Sequence, residues 1–206
     1  LPFYYNELLV SKTSGNYTTP NQLIKSVNDY QKKFGSKVRP TDERIETEIT
    51  YNKYDIFKRL FYLYMLAGIC MLLFTIISIF YDKKPIRIII NSFHVIIGFL
   101  FFLHTCGLIV RWYISGHAPW SDAYESMIYV AWATMFFTLA FDIKSKLTVA
   151  SGTFVASMIL MIAHWNWMDP AIANLQPVLN SYWLMIHVAV IVASYGPFIL
   201  GMVLGL

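Results

Sequence analysis

Hydrophobic positions gather into five long runs along this chain, at residues 60–81, 88–110, 124–141, 147–164 and 184–206. Each is about as long as the roughly 20 residues an α-helix needs to cross a bilayer. The pattern predicts an all-α fold: a polytopic membrane helix bundle with five spans. The third run, as short as the fourth, carries Glu125 at its start, which places its beginning in the headgroup region. The fifth contains Gly196-Pro197, a pair able to kink a helix whose freed backbone groups neighbouring helices can satisfy. Residues 1–55 are polar and mixed, and are read as an extracytoplasmic segment ahead of a transmembrane bundle at 56–206. Within that segment Leu23, Val27, Tyr30 and Phe34 recur at helical spacing over residues 21–35, and Gly35 is placed to stop the helix. Turn or cap signals lie at 20–22, 35–37 and 40–44.

Composition supports the membrane class. The chain is 57% hydrophobic and 14% charged, against about 45–50% and about 25% for soluble domains. Residues 1–59 hold ten of the sixteen Lys and Arg and seven of the twelve acids, so the net charge of +4 is mostly local to that segment. No basic stripe with interleaved aromatics appears, and no nucleic acid partner is expected. The basic content around residues 21–35 reads as a solvated face. Cys70 and Cys106 lie inside apolar runs without CxxC or zinc spacing, as packed thiols do. The chain opens on Leu1 without a signal peptide and ends within an apolar run. It reads as a piece of a longer polypeptide.

Orientation follows from short loops. The linkers 82–87 and 142–146 are net basic and are expected on the cytoplasmic side. Residues 111–123 and 165–183 then lie outside. These loops carry Trp112, Trp120, Trp165, Trp167 and Trp183, which form an aromatic belt at that face. Lys58-Arg59 disagree with this rule, but a long polar segment can be translocated despite its charge.

The loop 115–126 carries the chemistry. Asp122 is placed to cap the third span and Glu125 to complete a capping box. Both acids also suit the positive end of the helix dipole. A helix start does not account for Arg111, Gly116-His117 and Pro119 just before it. Taken together, Arg111-Trp112, Ser115-Gly116-His117-Ala118-Pro119 and Ser121-Asp122-Ala123-Tyr124-Glu125-Ser126 resemble the cytochrome c biogenesis family CcsA (ResC-like), of the type that also occurs fused to CcsB. A second resembling tract runs from Leu175 to Val188. The resemblance covers roughly residues 60–206.

The resemblance implies the CcsA part of a fused CcsB–CcsA cytochrome c synthase of System II, a multi-pass protein of the bacterial inner membrane. Such a protein exports heme, here heme b, and presents it on the outer face. There it joins the two Cys of CxxCH in apocytochrome c. Implied partners are heme, apocytochrome c, the CcsB portion, a thiol-reducing thioredoxin-like protein and membrane lipid. The family's Trp-Gly-x-x-Trp-x-Trp-Asp tract is absent, and residues 164–169 have the wrong spacing for it. In the family it follows the helix on which this chain ends, as does a second external ligand His. This segment by itself is therefore expected to be inactive.

The five histidines stand in different settings. Trp183, His187, Ile191 and Tyr195 recur every four residues on one helix face. The resemblance makes His187 an axial ligand of heme iron, with Trp183, Trp120 and Asp122 as further heme-binding residues. Neutral imidazole suits that role. His164 ends the fourth span and reads as an interface residue, and His117 as a loop residue. His94 and His104, ten residues apart on the second span, read as packed against neighbours. Two other functions remain open: a b-type electron-transfer subunit using His94 and His104, and a small-solute transporter with a helix broken at Gly196-Pro197. No catalytic residue is identified: no Ser-His-Asp set, membrane metal motif or phosphate loop is present.

Overall fold

The computed structural model describes residues 2–35, 39–81, 83–141, 145–165, 168–172, 175 and 177–205. Among these residues all regular elements are helical. They are α1 (Pro2–Ser14), α2 (Thr18–Phe34), α3 (Asp42–Tyr54), α4 (Ile56–Phe80), α5 (Lys84–Ser115), α6 (Ala123–Ala140), α7 (Lys146–His164) and α8 (Tyr182–Gly205), with a short 3-10 turn at Pro177–Asn180. Two compact units result, Leu1–Glu46 and Thr47–Leu206, and the division falls within α3. Several residues singled out from the sequence lie outside the described set: Asp82 and 142–144 of the basic loops, Trp167 of the aromatic belt, Gln176 of the second tract and 36–37 of the turn signal at 35–37.

In the first unit α1 packs on α2. The helix expected at 21–35 is α2, and the Gly35 N–H closes it on the Gln31 carbonyl. Its apolar positions Val27, Tyr30 and Phe34 are exposed. The sequence reading did not anticipate α1 or α3. The signal at 40–44 is the start of α3: Asp42 and Glu43 occupy the first turn and Lys53 the last, matching the helix dipole at both ends.

In the second unit the five apolar runs become α4 to α8. Among the described residues four helical segments are long and apolar enough to cross a membrane: Asp42–Phe80, α5, α7 and α8. The third run, α6, has 18 residues and carries Glu125 in its first turn, so it falls short of that standard. α5 outgrows its apolar run at both ends. Pro85 suits its first turn, and the run past residue 110 continues through Arg111 to Ser115.

The central helix is α7, which packs against α4, α5, α6 and α8. Its buried positions include Ala150, Ser151, Gly152, Thr153, Ala156 and Ser157. Small side chains let membrane helices approach closely, and dispersion then does what water cannot do in lipid. The contact with α4 shows how close: a Cβ on Gly68 falls 2.8 Å from the Phe154 backbone nitrogen. That atom cannot move aside without separating α4 from α7. Gly68→Ala is thus expected to lower the thermal stability of the detergent-solubilised protein, by about 1–3 kcal/mol for overpacking. Gly98→Ala, with nothing within 4 Å of the added Cβ, should leave the melting temperature unchanged or raise it. Equal effects of the two substitutions would contradict this packing.

Candidate functional site

The polar loop between α5 and α6 is built around a buried ion pair. Arg111, in the last turns of α5, and Glu125, in the first turn of α6, both have fully buried side chains. Arg111 Nε donates to Glu125 Oε1 at 2.9 Å. Its Nη1 donates to the Pro170 carbonyl at 3.0 Å and its Nη2 to the Ala171 carbonyl at 3.3 Å. The guanidinium also stands 5.1 Å from the centre of the Tyr124 ring, a cation–π arrangement. On the other side Glu125 Oε2 accepts from the Ser121 N–H at 2.9 Å and from the Ser121 hydroxyl at 2.7 Å. Both carboxylate oxygens and three of the guanidinium N–H groups are engaged, the kind of partnering that burial of charge demands.

The rest of the motif shapes the loop. Gly116 closes α5 in the left-handed region at φ 76°, its N–H bonded to the Trp112 carbonyl. A Cβ is strained there, which accounts for glycine at this point. The Ser115 hydroxyl donates to the His117 carbonyl, and His117 Nδ1 lies 3.2 Å from the Ala118 carbonyl. Asp122 is the N-cap of α6: its Oδ1 accepts from the Glu125 N–H at 2.7 Å. The capping box expected from the sequence is present in modified form, since the Glu125 carboxylate reaches back to Ser121 rather than to the cap residue itself. Burial pushes the Asp122 carboxyl above its ordinary range, while the Glu125 N–H bond opposes that rise.

Trp120 leaves the loop towards α8. Its Nε1–H donates to the Met185 carbonyl at 3.3 Å. Its ring packs against Trp112, with centroids 6.0 Å apart, and against Tyr129 at 4.9 Å. The aromatic column continues down α6 through Tyr129, Trp132 and Phe136, each stacked on the next.

The five histidines fall into distinct places. His187 is exposed on α8, on a face it shares with Trp183 (76% exposed), Val190, Ile191 and Tyr195. No hydrogen bond or ion pair engages it among the described residues. His164 lies on the other side of the bundle. Its Nε2 is 3.4 Å from Asp55 Oδ1, and its ring stacks on Tyr124 at 6.0 Å and 10°. Both line a cavity of about 650 Å³ with Tyr51, Phe57, Phe61 and Met168. Asp55 is the break between α3 and α4 and adopts φ 41°, a left-handed conformation that Asp tolerates better than most residues. His104 is fully buried: its Nε2 is 3.1 Å from the Ile128 carbonyl, and its ring lies against Phe57 and Tyr64. His94 is partly buried on α5.

The structure places His187 and Trp183 on one exposed face of α8, while Trp120 bonds the Met185 carbonyl and Asp122 caps α6. Sequence reasoning missed the pairing of Arg111 with Glu125 and the cavity at Asp55 and His164. A signal for the first was available: two opposite charges, each flanked by apolar run, which membrane helices keep by pairing them. For Asp122 the geometry predicts that Asp122→Asn, whose amide oxygen still accepts from Glu125 N–H, changes the unfolding midpoint little. Asp122→Ala should cost about 0.5–2 kcal/mol. A large loss on Asp122→Asn alone would show that the carboxylate charge, not the cap, matters.

Comparison with known proteins gives this loop and helix a lineage. The family described as Cytochrome C assembly protein matches residues 120–206, from Trp120 through α8. Protein NrfI of Wolinella succinogenes is 38% identical over 198 residues, covering 96% of this chain and 22% of its own length. The cytochrome c biogenesis protein CcsA of Chlorella vulgaris is 36% identical over 102 residues, 47% of this chain and 32% of the relative. CcsA of Arabidopsis thaliana is 31% identical over 170 residues, 80% of this chain and 47% of the relative. The chain thus spans 22% of NrfI and less than half of these CcsA proteins. The loop motif, the apolar helices and these relatives agree: the chain is similar to CcsA-like cytochrome c biogenesis proteins, and several of its helices are long and apolar enough for a multi-pass membrane protein.

Proposed function

We propose that this chain forms part of a heme exporter and cytochrome c synthase, and that His187 is an axial ligand of heme iron on the outer face of the membrane. The observation that carries the reading is the outward face of α8. There an imidazole without a hydrogen-bond partner among the described residues sits one turn from an exposed Trp, within an apolar strip. Heme asks for that combination: a nitrogen for the metal and flat apolar surface for the ring. The residues present fit one side of such a group. The other four histidines lie elsewhere, so the second ligand belongs to parts of the longer protein.

When bound, heme supplies two vinyl groups, across which the cysteine thiols of CxxCH in apocytochrome c add to form thioethers. The work of this chain is positioning. His187 fixes the depth and tilt of the group, Trp183 covers one edge, and the apolar face excludes water. Asp122 is committed to capping and Trp120 to Met185, so in this reading neither contacts the ring directly. A CcsB portion, a thioredoxin-like reductant that keeps the thiols free, and surrounding lipid complete the assembly, in the bacterial inner membrane.

Two other readings lose support. A b-type electron carrier on His94 and His104 needs open space for a heme beside each imidazole, whereas the His104 ring is fully buried and packed against Phe57 and Tyr64. A transporter with a broken helix at Gly196-Pro197 needs an unwound segment, whereas α8 runs unbroken from Tyr182 to Gly205.

In the complete protein His187→Gly should abolish cytochrome c formation while the protein still inserts, and added imidazole should restore part of it. His164→Gly should be milder and indifferent to imidazole. Full activity of His187→Gly, or imidazole rescue of His164→Gly instead, transfers the ligand to the other side of the bundle. Orientation has its own check. With an impermeant thiol reagent on intact cells, Ser115→Cys should label and Ser145→Cys should not, and the reverse pattern inverts the topology.

A further inference from the structure

Two close contacts of helix α8 lie on one side of it. Near its start the Met185 carbonyl takes the Trp120 indole N–H at 3.3 Å. Farther along, Gly196 lies directly on α6: a Cβ there falls 2.7 Å from the Thr134 nitrogen and 2.9 Å from the Ala133 carbonyl carbon. Met185 and Gly196 are eleven residues apart, close to three whole turns at 3.6 residues per turn, so they share a face. Leu200, one turn beyond Gly196, is buried on that face too. His187 follows Met185 by two residues, about 200° around the helix. It therefore sits opposite the anchored side, as do Trp183 and Phe198, at 76% and 71% exposure. Whatever fixes the rotation of α8 also decides which way His187 points.

Gly196 by itself fixes closeness rather than rotation, because a glycine leaves no knob to resist turning. Val192, Ile199, Leu200 and Val203 pack on the core from the same face and hold the later turns. Near the start of α8, where His187 lies, the directional contact is the indole N–H. Its donor is itself held firmly. The Trp120 N–H bonds to the Ala118 carbonyl, and the next residue, Ser121, is bound through both N–H and hydroxyl to the buried Glu125 carboxylate. Trp112 and Tyr129 pack on the ring itself. We infer that Trp120 is a positioning residue: it locks the rotation of α8 so that His187 faces away from α6, towards the site where heme is received. The receiving site rests on the functional reading above; the lock on α8 does not.

The complete protein tests both parts separately. With native cysteines replaced, Met185→Cys keeps the backbone carbonyl and places a thiol on the anchored face. In detergent it should react slowly with a water-soluble maleimide, and several-fold faster once Trp120→Ala is added. Unchanged reactivity overturns the lock, whatever happens to heme. Trp120→Phe keeps an aromatic ring and loses only the N–H donor and some bulk. It should reduce cytochrome c formation several-fold at normal protein level, and added imidazole should restore it by supplying the nitrogen that a turned helix withdraws. Full activity of Trp120→Phe, or a loss that imidazole leaves untouched, also overturns the lock. Should His187→Gly itself remain active, the heme reading fails while the maleimide result still decides the lock.

Discussion

The Arg111–Glu125 pair is the constraint on which the rest of this bundle depends. Two opposite charges sit within apolar helices, both wholly out of solvent. Removing each from water costs several kcal/mol, and their attraction offsets this only when the remaining donors and acceptors are also satisfied. Here both carboxylate oxygens and three of the guanidinium N–H groups are engaged. The guanidinium reaches the Pro170 and Ala171 carbonyls, and the carboxylate holds Ser121. Such a pair adds little to net stability compared with apolar residues of the same size, but losing one member alone is expensive. Its consequence is geometric: it ties the end of α5, the polar loop, the start of α6 and the segment before α8 to one point.

From that point the links run outward in two directions. One goes through Ser121 to Trp120, across to Met185, and so to the orientation of α8 and His187. The other goes through Tyr124, which faces the guanidinium on one side and stacks on His164 on the other. His164 in turn faces Asp55 at the break between α3 and α4, on the wall of the cavity. The two histidines nearest the ends of α7 and α8 thus belong to opposite sides of the bundle. One carries an acidic neighbour and a stacked tyrosine, and the other stands open on an apolar strip. Glycines make these links short: with Gly68 of α4 against Phe154 of α7 and Gly196 of α8 against Thr134 of α6, the helix backbones nearly touch.

Much of this fold is legible in the sequence, because apolar runs of spanning length have few alternatives in lipid. The five runs became α4 to α8 with ends shifted by a few residues, most at α5, where Arg111 extends the helix once it has a partner. The cap at Asp122 was legible too, since it depends only on neighbours along the chain. So was the stripe of Trp183, His187, Ile191 and Tyr195, which follows from helical period and is exposed as one face. What escaped was non-local. Glu125 looked like a capping acid because its local role is real, while its bond to a residue 14 positions away has no periodic signature. Trp120 is legible as part of the motif, but its N–H bond to a helix 65 residues on has no local signature. The α3 helix escaped for a different reason: its acids and lysine are arranged by the dipole rather than by an apolar period.

The most direct measurement is a double-mutant cycle on the ion pair, read by the unfolding free energy of the complete protein in detergent. Arg111→Met leaves a buried carboxylate, and Glu125→Leu leaves a buried guanidinium; each should cost about 3–5 kcal/mol. The double substitution removes both charges and should cost clearly less than the two singles added together, leaving only the Ser121, Pro170 and Ala171 groups without their charged partner. If the single substitutions are mild, or if their costs simply add in the double, Arg111 and Glu125 do not act as one buried unit and the loop is held by something else.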